Sequence, residues 1–532
     1  MNASDDDRGL SVYSEGGTLR QVAVRLHPDD DVAIAWAALE AGTILVLGRK
    51  DHPAKLFPLL GSVPGGHKVA VRPVAAGEPV RRYGQVIGFA TRAIEPGEHV
   101  HTHNLGLGAL AQDYAYGADA RPVDYLPDGE RRTFLGYRRP GGGCGTRNYV
   151  AVISTVNCSA HVSQQIARYF TAERLEAYPH VDGVVALAHS TSCAMRPGGP
   201  SHALYRRTLV GMARHPNVGA SIVVGLGCEL CQATELAEAV SLAGPGLRPP
   251  PALSIQELGG VAKTVAAGIA AVEELLPLVN ETGRTSLPIS ELTLALQCGG
   301  SDGWSGITAN PILGCVADQV IRQGGTAVLS ETPEVFGAEH LLTRRAASPE
   351  VGRKLVERVR WWEEHARRLG TSLDNNPSPG NRRGGLTTIY EKALGAVAKG
   401  GSTPLRAVYA YAEPVAERGL VFMDAPGYDP VSVTGQVAGG CNLVLFTTGR
   451  GSVLGFRPAP CIKIASNTAR YQHMVDDMDF NAGRLAEGAS LEGLTAELLD
   501  LVLAVASGQP SKSEQQGIGE AEFMPWSLGE VI

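Results

Sequence analysis

The chain has 532 residues and a formal net charge of −7, with 44% hydrophobic and 19% charged residues. It is too apolar for a disordered chain and too acidic for one that wraps nucleic acid, and it is long enough for three domains of about 150 residues. Its 65 glycines show no three-residue period and its nine cysteines are an odd number, which points to tight turns and to reduced thiols rather than collagen or a disulfide framework.

Residues 8–105 alternate short apolar runs (QVAVRL, TILVLG, HKVAVRPV, QVIGFA) with Pro-Gly and Gly-Glu turns, which predicts a small β domain. Its one expected helix covers residues 32–39, where Asp29, Asp30 and Asp31 would complement the helix N-terminus. Residues 106–134 have no sustained periodicity and read as a linker. From 135 to 285 the runs YVAVISTV, GVVALA and ASIVVGLG are separated by helical patterns, the signature of buried parallel strands in a middle α/β domain. A second α/β block, 286–532, carries ELTLALQ, TAVLS, AVYAYA, LVLFTT and CIKIAS, with a charged amphipathic helix over 349–369. The most apolar long window, 261–279, is interrupted by Lys263, Glu273 and Glu274, so no segment suits a bilayer. With an acidic, polar opening that lacks a secretory pattern, the expectation is a soluble cytoplasmic protein with a small-molecule partner and neither nucleic acid nor membrane.

Three kinds of residue could carry chemistry. His99, His101 and His103 stand at i, i+2 and i+4, and on a strand they project from one face, a spacing suited to metal ligation or proton transfer. Cys158, Cys193, Cys228 and Cys298 each follow a predicted strand, which in an α/β sheet places them at the ligand-binding edge. Each alone reads as a small buried residue; four in equivalent positions suggest a metal or cluster. Cys228 and Cys231 form an isolated CxxC. The turn Thr447-Thr448-Gly449-Arg450-Gly451-Ser452 suits a carboxylate, because its GxGxxxG spacing and the lack of an acid about 20 residues on disfavour a dinucleotide. Polar loops at 301–306, 330–334, 375–381 and 423–427 add amides, hydroxyls and carboxylates.

Over nearly its whole length the sequence resembles the altronate and galactarate dehydratase family. The segments that carry this include GTRNYVAVISTVNCSAHV, LQCGGSDGWSGITANPILG, LSETPEVFGAEHLLTRRA, NPSPGNRRGGLTTIYEKALGAVAKGG, MDAPGYDPVSVTGQVAGG and FTTGRGSVLG, with GEHVHTHN closing the β domain. The resemblance implies a β-clip domain, a middle domain used for homodimerisation, and a Rossmann-like catalytic domain. The implied activity is a metal-dependent hydro-lyase that turns a sugar acid, an aldonate or aldarate, into a 2-keto-3-deoxy acid. The implied cofactor is Fe(2+), with Mn(2+) or another divalent ion and an iron–sulfur cluster left open. Loss of the weakly acidic hydrogen alpha to a carboxylate needs a cation to stabilise the enediolate and a positioned base. On this scheme Cys298, Asp302, Glu331 and His103 lie at the metal, and His101 and His103 act as acid or base. Lys463 and Arg450 hold the carboxylates, and Asn157, Ser452, Asp424 and Asn310 contact the substrate.

The sequence departs from the family where His189 is followed by Ser-Thr-Ser-Cys193-Ala194-Met195, without the tight glycine loop, and at Lys392-Ala393-Leu394-Gly395-Ala396. These changes leave room for another substrate. A sulfo-lyase on a sulfolactate-like acid and a non-catalytic sugar-acid binding protein are the two rival expectations.

Overall fold

The strand Thr293–Cys298 is the centre of a seven-stranded parallel sheet. The order is Leu405–Tyr409, Gly419–Met423, Thr326–Leu329, Thr293–Cys298, Leu443–Thr448, Cys461–Ala465 and Phe480–Asn481. The computed structural model describes residues 9–13, 19–47, 55–190, 195–242 and 249–528, so Cys193 lies outside the described residues. Because helices cover both faces, the strands are continuous apolar runs whose alternate residues enter different cores. Leu294 and Leu296 pack with Ile312, Leu313 and Val316 of the helix Ala309–Arg322, whereas Ala295 joins Val433 and Val437 of the helix Asp429–Ala438. After the central strand the chain builds one side of the sheet, then crosses to Leu443–Thr448 on the other. Such a reversal opens a crevice beyond the carboxyl ends of the strands.

The middle region is a four-stranded parallel sheet in the order Gly183–Leu187, Tyr149–Ser154, Val218–Gly225, Ala252–Ser254. The helices Asn157–Tyr169 and Val261–Asn280 cover one face. The other face packs through the helix Pro200–Ala213 onto Asp429–Ala438, where a side chain at Gly211 would collide with the Ala438 carbonyl.

The N-terminal region is antiparallel β structure, a seven-stranded and a three-stranded sheet, and the helix expected over 32–39 is absent. Val32–Ala35 is instead a fully buried strand paired with Leu19–Val24 and Lys68–Ala70. A short apolar run has no period that separates strand from helix. The aspartates serve turns rather than a helix: Asp30 accepts the Leu26, His27 and Gly84 amides, and Asp31 accepts the Arg81 amide and pairs with Arg72. The segment between Leu105–Gly106 and Thr133–Arg138 has one regular element, a short turn at Asp128–Glu130. It is tied down by Arg344 to Asp113 and Asp119 and by Arg322 to Asp124. The amphipathic helix forms as Pro349–Arg368. No helix among the described residues is long and apolar enough to cross a membrane.

The N-terminal region is fastened to the C-terminal region through one buried carboxylate. Glu391 pairs with Lys68 at 2.9 Å and Arg82 at 2.6 Å, and neither its side chain nor that of Lys68 reaches solvent. Arg82 also donates to the Gly303 carbonyl and Lys68 to that of Gly385, so both cations are hydrogen-bonded to the partner region. Trp36 stacks on Trp304 at 5.0 Å beside this clamp. Burial works against ionisation of Glu391, but Lys68, Arg82 and the Thr387 hydroxyl overcome it and hold its pKa at about 2. Its contribution to stability is therefore complete above the ordinary glutamate value of about 4.3 and is lost as pH falls through about 2. Glu391→Gln should lower unfolding stability by about 3–5 kcal/mol, measured by denaturant titration at pH 7, and should flatten the acid limb of the stability curve between those pH values.

Candidate active site

The carboxyl edge of the large sheet gathers an acidic thiol cluster. Cys298 ends the central strand with its Sγ 3.5 Å from Glu334 Oε2, 3.8 Å from Glu331 Oε2 and 2.9 Å from the Lys399 ammonium. Glu331 follows the neighbouring strand in a left-handed conformation (φ 69°) that folds the loop back, so that Glu334 returns to the same point. Lys392 binds Glu334 at 2.6 Å and the Asn376 side chain at 2.9 Å. Burial, reinforced by Glu334, pushes the Glu331 carboxyl well above its usual range. Burial also opposes ionisation of Glu334, but Lys392 and Lys399 hold that carboxyl below its usual value. Burial raises the Cys298 thiol to about 12. One oxygen of Glu331, Oε1, is buried without a hydrogen-bond partner. Among the described residues, this is the one group of three or more His, Cys, Asp or Glu side chains whose donor atoms lie within 4.8 Å of one another.

A small internal cavity of about 10 Å³ adjoins the cluster, lined in part by Tyr83, Cys298, Asp302, Asn310 and Lys392. That is room for one water molecule, not a sugar acid. Asp302 also borders an open cleft of about 750 Å³ on its other side, between the two regions and edged by Trp36, Trp304, Arg383, Arg450 and Arg470. Its carboxylate accepts five hydrogen bonds: Oδ1 from the Trp304 and Ser305 amides and the Ser305 and Ser466 hydroxyls, and Oδ2 from Asn467. Gly449 has no room for a side chain, because a Cβ there would strike that carboxylate.

At the Arg382–Arg383 turn, outside the cleft lining, stand four imidazoles. His67 and His99 share a 3.0 Å contact, His101 stacks on both at 5.1 and 5.4 Å between ring centroids, and His103 lies 5.5 Å from His99. Nε2 of His67 and of His101 face the consecutive carbonyls of Arg383 and Arg382 at 3.2 and 3.0 Å. Burial first, then Lys68 and the crowding of the imidazoles on one another, lowers His67 to about 4 and His99 to about 3, and burial also lowers His101. These three rings are neutral at pH 7.

The placement departs from the sequence expectation in several respects. Cys298 and Glu331 do meet, but the third member is Glu334; Asp302 and His103 stand outside the group. His99, His101 and His103 gather although the strand is only His99–Val100. The turn that follows, held by Asn104 Oδ1 on the His101 amide, brings them in, and His67 completes the set. Arg450 lines the cleft, with Ser452 beside it accepting the Leu454 amide. Asn310 lies on the inner cavity, bonded to Thr447 and the Gly395 carbonyl. Lys463 is fully buried and donates to the Leu454 carbonyl, away from the cleft lining. Asp424 accepts from Thr332 and the Trp362 indole. Asn157, Cys158 and Cys228 belong to the middle sheet's edge, the two thiols exposed, so Cys298 does not share a site with Cys158 and Cys228. Glu334 was visible in the sequence as the second acid of the 330–334 loop; His67 carried only a Gly-Gly-His-Lys turn as its signal.

The chain matches three family models in register with these regions. They are the altronate/galactarate dehydratase SAF domain over residues 21–107, the D-galactarate dehydratase/altronate hydrolase second domain over 136–280, and the D-galactarate/altronate dehydratase C-terminal domain over 289–531. It is 35% identical to the altronate dehydratase of Bacillus subtilis over 498 residues, covering 93% of this chain and 97% of that protein. It is also 35% identical to the galactarate dehydratase (L-threo-forming) of Escherichia coli, over 93% of this chain and 95% of that one. The β subunit of a (2R)-sulfolactate sulfo-lyase from Chromohalobacter salexigens is 32% identical over 75% of this chain and 98% of its own length. The thiol–carboxylate edge, the cleft and the histidine-bearing SAF domain thus belong to a chain that is a member of the D-galactarate/altronate dehydratase family, and this protein is a hydro-lyase.

Proposed function

We propose that the protein removes water from a sugar acid of the altronate or galactarate kind to give a 2-keto-3-deoxy acid, with a divalent ion, ferrous iron, held by Cys298, Glu331 and Glu334. The observation that carries this is the convergence of a thiol and two carboxylates, one of them with an unpartnered buried oxygen, beyond the Asp302 wall of a cleft large enough for a sugar acid. A sulfur and carboxylate donor set suits a first-row divalent ion. One cysteine favours a single ion over an iron–sulfur cluster, which is held by several thiolates. Such an ion would sit behind the Asp302 wall and would add positive charge there, an electrostatic contribution across the wall to a developing enediolate in the cleft.

The side chains of the chain divide the remaining work. Arg450, on its glycine turn, holds a substrate carboxylate by paired N–H donors. With Nε2–H donating to the Arg382 carbonyl, His101 carries its lone pair on Nδ1, where the Thr102 hydroxyl donates at 3.1 Å and must turn away before the ring, its pKa lowered by burial, can act as a general base. His103, at the exposed end of the cluster, returns a proton to the departing hydroxyl. Glu391 positions both by holding the SAF domain in place.

His103→Ala should retain the wild-type melting temperature and lose at least 100-fold in turnover, measured as 2-keto acid formed from altronate and galactarate under anaerobic conditions with ferrous iron; near-normal activity would remove His103 from the reaction. Cys298→Ala and Glu334→Gln should each abolish one equivalent of bound iron, read by a colorimetric chelator, and unchanged stoichiometry would move the metal elsewhere. Release of sulfite from sulfolactate without any 2-keto-3-deoxy acid from sugar acids would replace the dehydratase reading by a sulfo-lyase.

A further inference from the structure

A second cleft lies at the opposite edge of the large sheet from Cys298. It encloses about 510 Å³ where the segment 119–124 passes over the end of the helix Ala309–Arg322 and the turn leading into the strand Leu405–Tyr409. Three carboxylates and three guanidinium groups line it. The carboxylates are all engaged: Asp119 pairs with Arg344, Asp124 pairs with Arg322, and Asp318 accepts from the Ser402 amide and hydroxyl and the Thr403 amide. Arg121 and Arg345 have no carboxylate partner among the described residues. For the exposed Arg121 that is ordinary, because water serves it, but Arg345 is only 8% exposed. The other two buried arginines among the described residues, Arg82 and Arg147, each hold a glutamate.

The way Arg345 is bonded shows which side of it is free. All three of its hydrogen bonds come from Nη1, to the carbonyls of Gly400, Gly401 and Thr403 at 3.3, 2.6 and 2.9 Å. Nε and Nη2 have no acceptor among the described residues, and neither is sealed from solvent. The Thr403 hydroxyl on the same lining is buried without a partner. Burial draws the Arg345 pKa down to about 10, opposed by Asp318, so the group is still cationic at pH 7. Nε–H and Nη2–H are the parallel pair of donors that matches two oxygens of one carboxylate or phosphate. A buried cation of this kind is costly until an anion joins it, and the cleft falls within the about 300–1,000 Å³ usual for small-molecule sites. We propose that this cleft binds a small organic anion, its carboxylate or phosphate on the Nε–Nη2 side of Arg345 with Arg121 at the rim, and its carbon skeleton against Val123, Leu341 and Pro404. The site stands independently of the dehydratase reading. It is also in touch with the thiol–carboxylate cluster, because the Gly400 carbonyl held by Arg345 ends the turn Ala398–Gly400, whose Lys399 contacts Cys298.

Calorimetric titration of the full-length protein with inorganic phosphate, glycerol 3-phosphate and pyruvate in turn tests this, in an Arg450→Gln background that weakens anion binding in the other cleft. At least one probe should bind saturably, one per chain. Arg121→Gln, at an exposed side chain with no ion pair to lose, should weaken that binding about tenfold. Arg345→Lys, which keeps the charge and loses the planar fork, should weaken it at least as much; if that variant does not fold, Arg121→Gln decides. Binding of pyruvate alone assigns a carboxylate, and of glycerol 3-phosphate alone a phosphate ester. Amide hydrogen exchange with the probe bound should slow in 119–124 and 398–403. No saturable binding of any probe at millimolar concentration, binding that the variants leave unchanged, or slowed exchange confined to the cleft of Arg383 and Arg470 overturns the proposal.

Discussion

The buried ion triad of Lys68, Arg82 and Glu391 is the constraint on which the rest of the site depends. A solvent-excluded carboxylate between two cations from another domain is stable only while all three stay in register, because loss of either side leaves bare charge in a low-dielectric interior. The triad therefore fixes the position of the SAF domain against the sheet edge within hydrogen-bonding tolerance. That position makes the Arg382 and Arg383 carbonyls available to His101 and His67 and stacks Trp36 on Trp304 at the mouth of the cleft. The SAF domain completes a site whose other half lies more than 200 residues away in sequence.

Two environments of opposite electrostatic character result. Behind Asp302, two carboxylates, a thiol and two ammonium groups are excluded from water, where burial raises Glu331 and Cys298 and the two ammonium groups, against burial, lower Glu334. In front of it, guanidinium groups of Arg383, Arg450 and Arg470 line the cleft, and at the Arg382–Arg383 turn burial lowers the pKa values of the imidazoles. Asp302 belongs to both sides yet is chemically quiet, its oxygens bonded to serine, asparagine and backbone donors. It acts as a partition, and the glycine at 449 exists because the partition is so close.

How much of this could be read beforehand depended on how local the signal was. Cys298 and Glu331 were legible because each ends an apolar run, and parallel strands in one layer expose their carboxyl ends on a common edge. Asp302 and His103 do not join that group: the Asp302 carboxylate is taken up by Ser305, Ser466 and Asn467, and His103 stays with the other imidazoles of the SAF domain. His67 is brought to His99 by the antiparallel pairing of Val69 with His99, a register that no local pattern announces. The stretch at 32–39 was misread because a four-residue buried strand has no period to distinguish it from one turn of a helix.

The alternation of strands and helices in the two α/β regions, their apolar cores, the thiol at the end of the central strand and the family were determined by the sequence itself, because periodicity and chain-long similarity are properties of neighbouring residues. Which acid meets Cys298, which histidine completes the cluster, and which arginines remain without a partner were decided only by tertiary structure. These depend on side chains from distant segments converging within hydrogen-bonding distance, and that convergence is set by packing of the three regions and by the one carboxylate that clamps the first to the last.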